Sequence, residues 1–287
     1  MPRQDAAGWA VAAFAACIAF GFACPMAEAD ASYRRCSVDW MCIIAVAQPD
    51  TVELEAANLS DVPITFTLRV RATEMSIDRP ATITETLGPR QKRLVMVLTR
   101  ARSQGGNYRF AYDWTVGSKD AVHDESHVYR LPYASGESFR VLQGFGSWFS
   151  HTGLEQFAVA FRMPEGTPVH AARGGLVART EESNDTGCWE DGCGKYANFI
   201  VVLHDDGTTG EYYHLQQNGA LVEPGDRVEA GQMIGLSGNT GHTTVPHLHF
   251  AVYRAAEWGT TQSIPVRFAS ADGIIEKPRR NARYPAT

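Results

Sequence analysis

Between residues 37 and 128 apolar and polar side chains alternate along the chain. Positions 52–56 read Val-Glu-Leu-Glu-Ala and positions 64–70 read Ile-Thr-Phe-Thr-Leu-Arg-Val. A period of two is the mark of strands with one face buried. The segment from Asn58 to Pro63 separates them as a turn, and the pattern predicts further strands at 81–87, 93–99 and 108–116. Gly88-Pro89 and Gly105-Gly106 punctuate them. Short strands at this spacing predict a small β-sandwich.

From Tyr129 onward the pattern stays β-rich but the motifs change. Positions 197–204 and 211–215 predict a hairpin around the turn residues 205–210, and the glycine turns of 223–235 join two short strands. In the segment 246–253 (Pro-His-Leu-His-Phe-Ala-Val-Tyr), alternation places His247 and His249 on one face and Leu248, Phe250 and Val252 on the other. No βαβ alternation or internal repeat interrupts this. The expectation is an all-β chain in which a β-sandwich-like accessory domain (30–128) precedes a second β-sheet or barrel-like domain (129–256). Residues 257–287, polar and proline-bearing, are expected to form a surface tail.

The first residues change the picture of where the protein works. Arg3 precedes an apolar run over positions 9–24, followed by Ala27-Glu28-Ala29. That order is a signal peptide, residues 1–29, with cleavage after Ala29. The run is shorter than the ~20 residues a membrane span needs, and nothing later is apolar enough to span. Cys24 follows an alanine as a lipid-anchored cysteine would, but Gly21 stands where such a site has a larger aliphatic residue. Export to the periplasm or cell envelope is therefore expected. In an oxidising compartment Cys36/Cys42 and Cys188/Cys193 read as two local disulfides. A formal charge of −6 argues against a nucleic-acid partner.

Two imidazoles on one strand face are what a metal site or an acid–base pair needs. His214 follows an apolar strand and His151 lies in Gly-Ser-Trp-Phe-Ser-His-Thr-Gly, positions 146–153. His123 and His127 are expected to be exposed in a polar linker, His170 and His204 to be ordinary surface positions, and His242 to line a groove without binding metal. The run 235–241 (Gly-Leu-Ser-Gly-Asn-Thr-Gly) lacks the Lys-Ser/Thr ending of a phosphate loop and reads as a tight turn.

Taken together, Ser150-His151-Thr-Gly, the segment 161–177, Tyr213-His-Leu, the segment 225–232, Ser237-Gly-Asn-Thr-Gly241 and His247-Leu-His-Phe250 resemble the lysostaphin-type (LytM-like, M23) zinc peptidases. The resemblance covers roughly the last half of the chain. It implies zinc ligation by His151 and His249, with His214 and His247 as the catalytic pair beside the metal. It also implies peptidoglycan peptides as substrate. One position departs from the family pattern: the ligand aspartate's place, six residues before Gly166, holds Ala160. Glu155 follows His151 at the H-x₃-acid spacing of some family members and is the candidate substitute ligand. Two readings stay open: a zinc endopeptidase weakened by the lost carboxylate, or a non-catalytic relative that binds wall peptides or regulates another wall hydrolase. A biotinyl or lipoyl carrier is excluded because no lysine lies between Lys195 and Lys277.

Overall fold

The computed structural model describes residues 32–37, 39–101 and 105–287. The expected signal peptide, with Cys17 and Cys24, lies outside the described residues. Within them the chain is all-β, with only short 3₁₀ turns. No helix among them is long and apolar enough to cross a membrane.

The chain divides into two compact units. The N-terminal unit runs to Trp114 and includes Glu257–Gly259. It has a five-stranded sheet ordered Ser32–Ser37, Met41–Ala47, Thr51–Asn58, Lys92–Arg100 and Met75–Ile77. A three-stranded sheet is ordered Thr82–Leu87, Ile64–Thr73 and Asn107–Val116. The alternation predicted from sequence has its physical outcome in burial: Val52, Leu54 and Ala56 are interior, while Glu53 and Glu55 are not. Tyr112 ties the sheets together, its hydroxyl lying 3.2 Å from the Met41 carbonyl. Cys36 and Cys42 face each other as register partners and form a disulfide. Neither of their strands was foreseen, because Ser-Tyr-Arg-Arg-Cys-Ser carries too little apolar alternation to register.

The C-terminal unit holds residues 115–256 and 260–287. Residues 115–128 group with this unit. The loop after the strand Asn107–Val116 bonds to this unit through Ser118 N–H to the Gly207 carbonyl. The spine is a nine-stranded sheet whose path includes Gly175–Glu181, Phe199–Leu203, Thr209–Tyr213, Leu248–Ala255, Val159–Arg162 and Ser138–Gln143. A smaller sheet joins Pro168–His170, Met233–Ser237 and Leu215–Ala220. One face of the large sheet buries Val159, Phe161, Ile200, Val202, Tyr212, Leu248, Phe250 and Val252 in a single core. Because side chains alternate, Ala160, Glu211, Tyr213, His249 and Tyr253 project from the opposite face.

Residues 257–287 are no surface tail. Thr261–Ile264 pairs with Leu248–Ala255, Arg267–Ser270 runs parallel to Val128–Arg130, and Arg283–Pro285 closes on Ser138–Gln143. Phe268 is fully buried in the core. Strands of three or four residues give alternation no length in which to show, and the arginines and prolines around them hide it. Three histidines also differ from expectation. His204 is 2% exposed, with Nδ1 2.9 Å from Thr208 Oγ1. His123 and His127 are half-buried against the Tyr129 ring. Burial, then the Arg173 charge, lowers the His204 pKa to about 3.

Candidate metal and catalytic groove

Four segments of different character deliver the four histidines. His249 sits within the strand Leu248–Ala255, and His247 immediately precedes it. His214 lies between two strands with φ of +66°, a left-handed conformation costly for a non-glycine residue. That single residue ends Thr209–Tyr213 in the large sheet and starts Leu215–Ala220 in the small one. His151 comes from the loop after Ser138–Gln143 and is 1% exposed.

The structure brings all four together. The His151 and His249 rings meet edge-on with centroids 5.3 Å apart, and His214 lies 4.5 Å from His247 and 6.0 Å from His249. Ala160 is the register partner of His249, so its methyl group projects from the same sheet face. His242 lines the same groove, a cavity of about 310 Å³.

Hydrogen bonds fix which nitrogen of each ring is available. A carbonyl oxygen can only accept, so Nδ1 carries the proton where it meets one. Nδ1 of His151 donates to Gly144 (3.3 Å), that of His214 to Thr240 (2.7 Å), and that of His247 to Val245 (2.8 Å). Each of these rings thereby keeps a lone pair on Nε2. For His151 that Nε2 is buried and has no partner among the described residues.

His249 has the reverse arrangement. The Tyr253 hydroxyl gives its one proton to Glu155 Oε2 at 2.6 Å, so its contact with His249 Nε2 at 3.1 Å requires that nitrogen to be the donor. The lone pair of His249 is then on Nδ1, on the other side of the ring from Glu155.

Charge follows from burial. Desolvation, then the neighbouring His249, lowers the His151 pKa to about 3, and desolvation first lowers that of His247 to about 4. His214 is pushed well below its ordinary value by burial and then by His247 and His249. All three rings are neutral near pH 7. For Glu155, burial opposes ionisation, but its hydrogen bond and charge contact with His249 and its bond from Tyr253 outweigh it, and the net shift is downward.

As a zinc site this set is incomplete. The orphaned Nε2 of His151 and the free Nδ1 of His249 are sound imidazole donors. Hydrolytic zinc takes three protein ligands and keeps one position open, and Ala160 offers no donor atom. Glu155 is 3.4 Å from His249 Nε2, the protonated side of the ring. Among the described residues Cys188, Glu190 and Cys193 bring three ligand-type atoms within 4.8 Å of one another, but the two sulfurs are joined in a disulfide.

Several groups at the groove were not anticipated. Tyr253 is legible in retrospect, four residues beyond His249 on the same strand face. Glu211, 5% exposed, accepts from Thr209 Oγ1 and the Tyr213 hydroxyl, and burial raises its pKa. Trp148, Phe149 and Trp189 form an aromatic rim with no periodic signal, because they lie in loops.

Comparison with known proteins places these motifs in a peptidase family. Residues 155–263 match the model of peptidase family M23. The matched segment, which holds His214, His247 and His249, is an M23-type domain segment. The chain is 40% identical over 90 residues to peptidoglycan DD-endopeptidase ShyA of Vibrio cholerae serotype O1, covering 31% of this chain and 18% of that one. It is 32% identical over 155 residues to lysostaphin of Staphylococcus simulans, covering 53% and 28% respectively. The solved catalytic domain of lysostaphin aligns at 32% identity and a TM-score of 0.34, over 44% of this chain and 88% of that one. The chain thus spans less than a third of the length of these two curated relatives.

Proposed function

We propose that this protein is an exported M23-type endopeptidase that binds the peptide cross-links of peptidoglycan and hydrolyses them slowly. The supporting observation is the groove's mixed state. Four histidines converge with defined tautomers, while Ala160 stands beside His249 where the family resemblance places the ligand aspartate. His151 and His249 would hold zinc weakly through Nε2 and Nδ1. Zinc supplies Lewis-acid polarisation of a peptide carbonyl and acidifies water. His214 and His247, neutral and with Nε2 lone pairs, are suited to accept a proton from water and to orient it. Glu155 acts through Tyr253 to hold the His249 ring and is not assigned as the substitute ligand. The leader-like residues 1–29 and the two disulfides support action in the periplasm or cell envelope.

The missing carboxylate favours a second reading, a non-catalytic relative that binds wall peptides or regulates another wall hydrolase. The two separate by experiment. Purified protein lacking residues 1–29 is analysed for zinc and incubated with intact peptidoglycan, and released peptides are identified by mass spectrometry. Slow, zinc-stimulated release supports the endopeptidase. Binding to peptidoglycan without release at any zinc concentration supports the second reading.

A further inference from the structure

We infer that the aromatic rim of the groove is a saccharide subsite, which seats an N-acetylhexosamine ring of the glycan strand against Trp148. The inference rests on the peptidoglycan reading above and extends it from the peptide to the sugar. Four rings stand in a row. Trp148 meets Phe149 edge-on at 5.8 Å, Phe149 stacks on Trp189 at 5.2 Å with planes 12° apart, and Trp189 lies 4.1 Å from His242.

One end of the row is anchored. Trp189 directly follows Cys188, whose disulfide to Cys193 closes a short loop. The strand Gly187–Cys188 pairs in parallel with Gly241–His242, and His242 Nε2 donates to the Trp189 carbonyl at 3.1 Å. The other end is open, with Trp148 79% exposed, Phe149 51% and Trp189 48%. Large apolar side chains clustered in solvent around a groove mark a binding surface, and a rigid tryptophan is the commonest energetic anchor of one.

The polar lining selects the occupant. Among the described residues lining the cavity of about 310 Å³, Gln143, Ser150 and Thr244 carry neutral polar groups, while Glu155 lines the adjoining cavity with His214, His242 and His249. Arg280 is the one full cation there. A pyranose presents a face of C–H groups that packs on an indole while its equatorial hydroxyls and N-acetyl group reach sideways to amides and hydroxyls. A sugar that carries a lactyl or peptide carboxylate also gives Arg280 a counter-charge. A bare cross-bridge peptide needs backbone partners and has no flat apolar face to cover the Trp148 indole.

The test is titration of the full chain with tetra-N-acetylchitotetraose, an uncharged sugar probe, followed by tryptophan fluorescence and calorimetry. A sugar-free stem peptide is titrated in parallel. The chitotetraose should quench and blue-shift the emission. Trp148→Ala should weaken its binding at least tenfold with an unchanged melting temperature, because the indole is exposed, and Trp148→Phe should recover part of the loss. No sugar binding, or equal binding by Trp148→Ala, overturns the subsite. If the sugar fails while peptidoglycan is still cleaved or bound, the proposed function stands and only the subsite falls. If the sugar binds at Trp148 and peptidoglycan is bound but never cleaved, the subsite stands and the endopeptidase reading falls.

Discussion

Ala160→Asp is the most informative single change in the groove. Ala160 and His249 face each other on antiparallel strands, which sets their Cβ atoms ~4.5–5.5 Å apart on one sheet face. A carboxylate there is within reach of a cation held by His249 Nδ1 and His151 Nε2. Changes to a metal's ligand environment alter affinity by ~10–100-fold even one shell out, so a direct ligand should raise zinc affinity at least that much. That corresponds to ~1.4–2.8 kcal/mol. Without metal the same carboxylate is a liability, since position 160 is 1% exposed and a buried charge without a partner is costly. The metal-free variant should therefore melt below the parent protein, by ~2–4 °C for each kcal/mol lost. Zinc at ~100 times its Kd should return ~2.7 kcal/mol. Competition against a chromophoric chelator measures the affinity, and melting in chelator and in zinc measures the linkage. A lower melting temperature with zinc affinity unchanged within twofold would refute the reasoning, because the carboxylate would then be buried without meeting the metal.

Tyr253→Phe removes the phenol between Glu155 and His249; the proton of His249 should no longer be confined to Nε2, and zinc affinity should fall ~10-fold. Long-range ¹⁵N spectra of the histidines check this, and an unchanged His249 tautomer rejects it. His204 is neutral in the fold, with its pKa lowered to about 3 among Arg173, Asp206, Thr208, His123 and His127. The unfolded chain protonates it near pH 6.5, so its contribution is complete above that pH. It is lost toward pH 3 at up to ~1.4 kcal/mol per unit. Denaturant unfolding of His204→Gln should show a flatter acid limb, and a limb as steep as the parent's contradicts the assignment. Deleting residues 260–287 removes buried Val266, Phe268 and Ile275 together with three strand pairings. The truncated chain should fail to give a cooperative melt, and a normal melt would show that these strands are dispensable.

Most of the architecture was legible because alternation reports burial directly. Residues 64–70 and 248–253 each fold as strands with their apolar positions inward. The convergence of His151, His214, His247 and His249 was legible from motif order, although periodicity alone linked only His247 and His249. What escaped was short or long-range. The strands Thr261–Ile264 and Arg283–Pro285 are set by their partners, and no local pattern of three or four residues can encode that. The burial of His204 likewise depends on Tyr129 and Arg173, distant in sequence. The Tyr253–Glu155 link spans 98 positions and rests on one hydroxyl proton.

The late strands also set a timetable. Arg267–Ser270 lies beside Val128–Arg130, and Arg283–Pro285 lies beside Ser138–Gln143. The unit's opening strands thus wait for partners synthesised about 140 residues afterwards. Contacts of such separation form slowly, since a long loop must close before they are rewarded. A chain still emerging from the ribosome lacks these partners and stays unfinished. Completion of the sheet that carries His249 is thereby deferred until the last strands have been made.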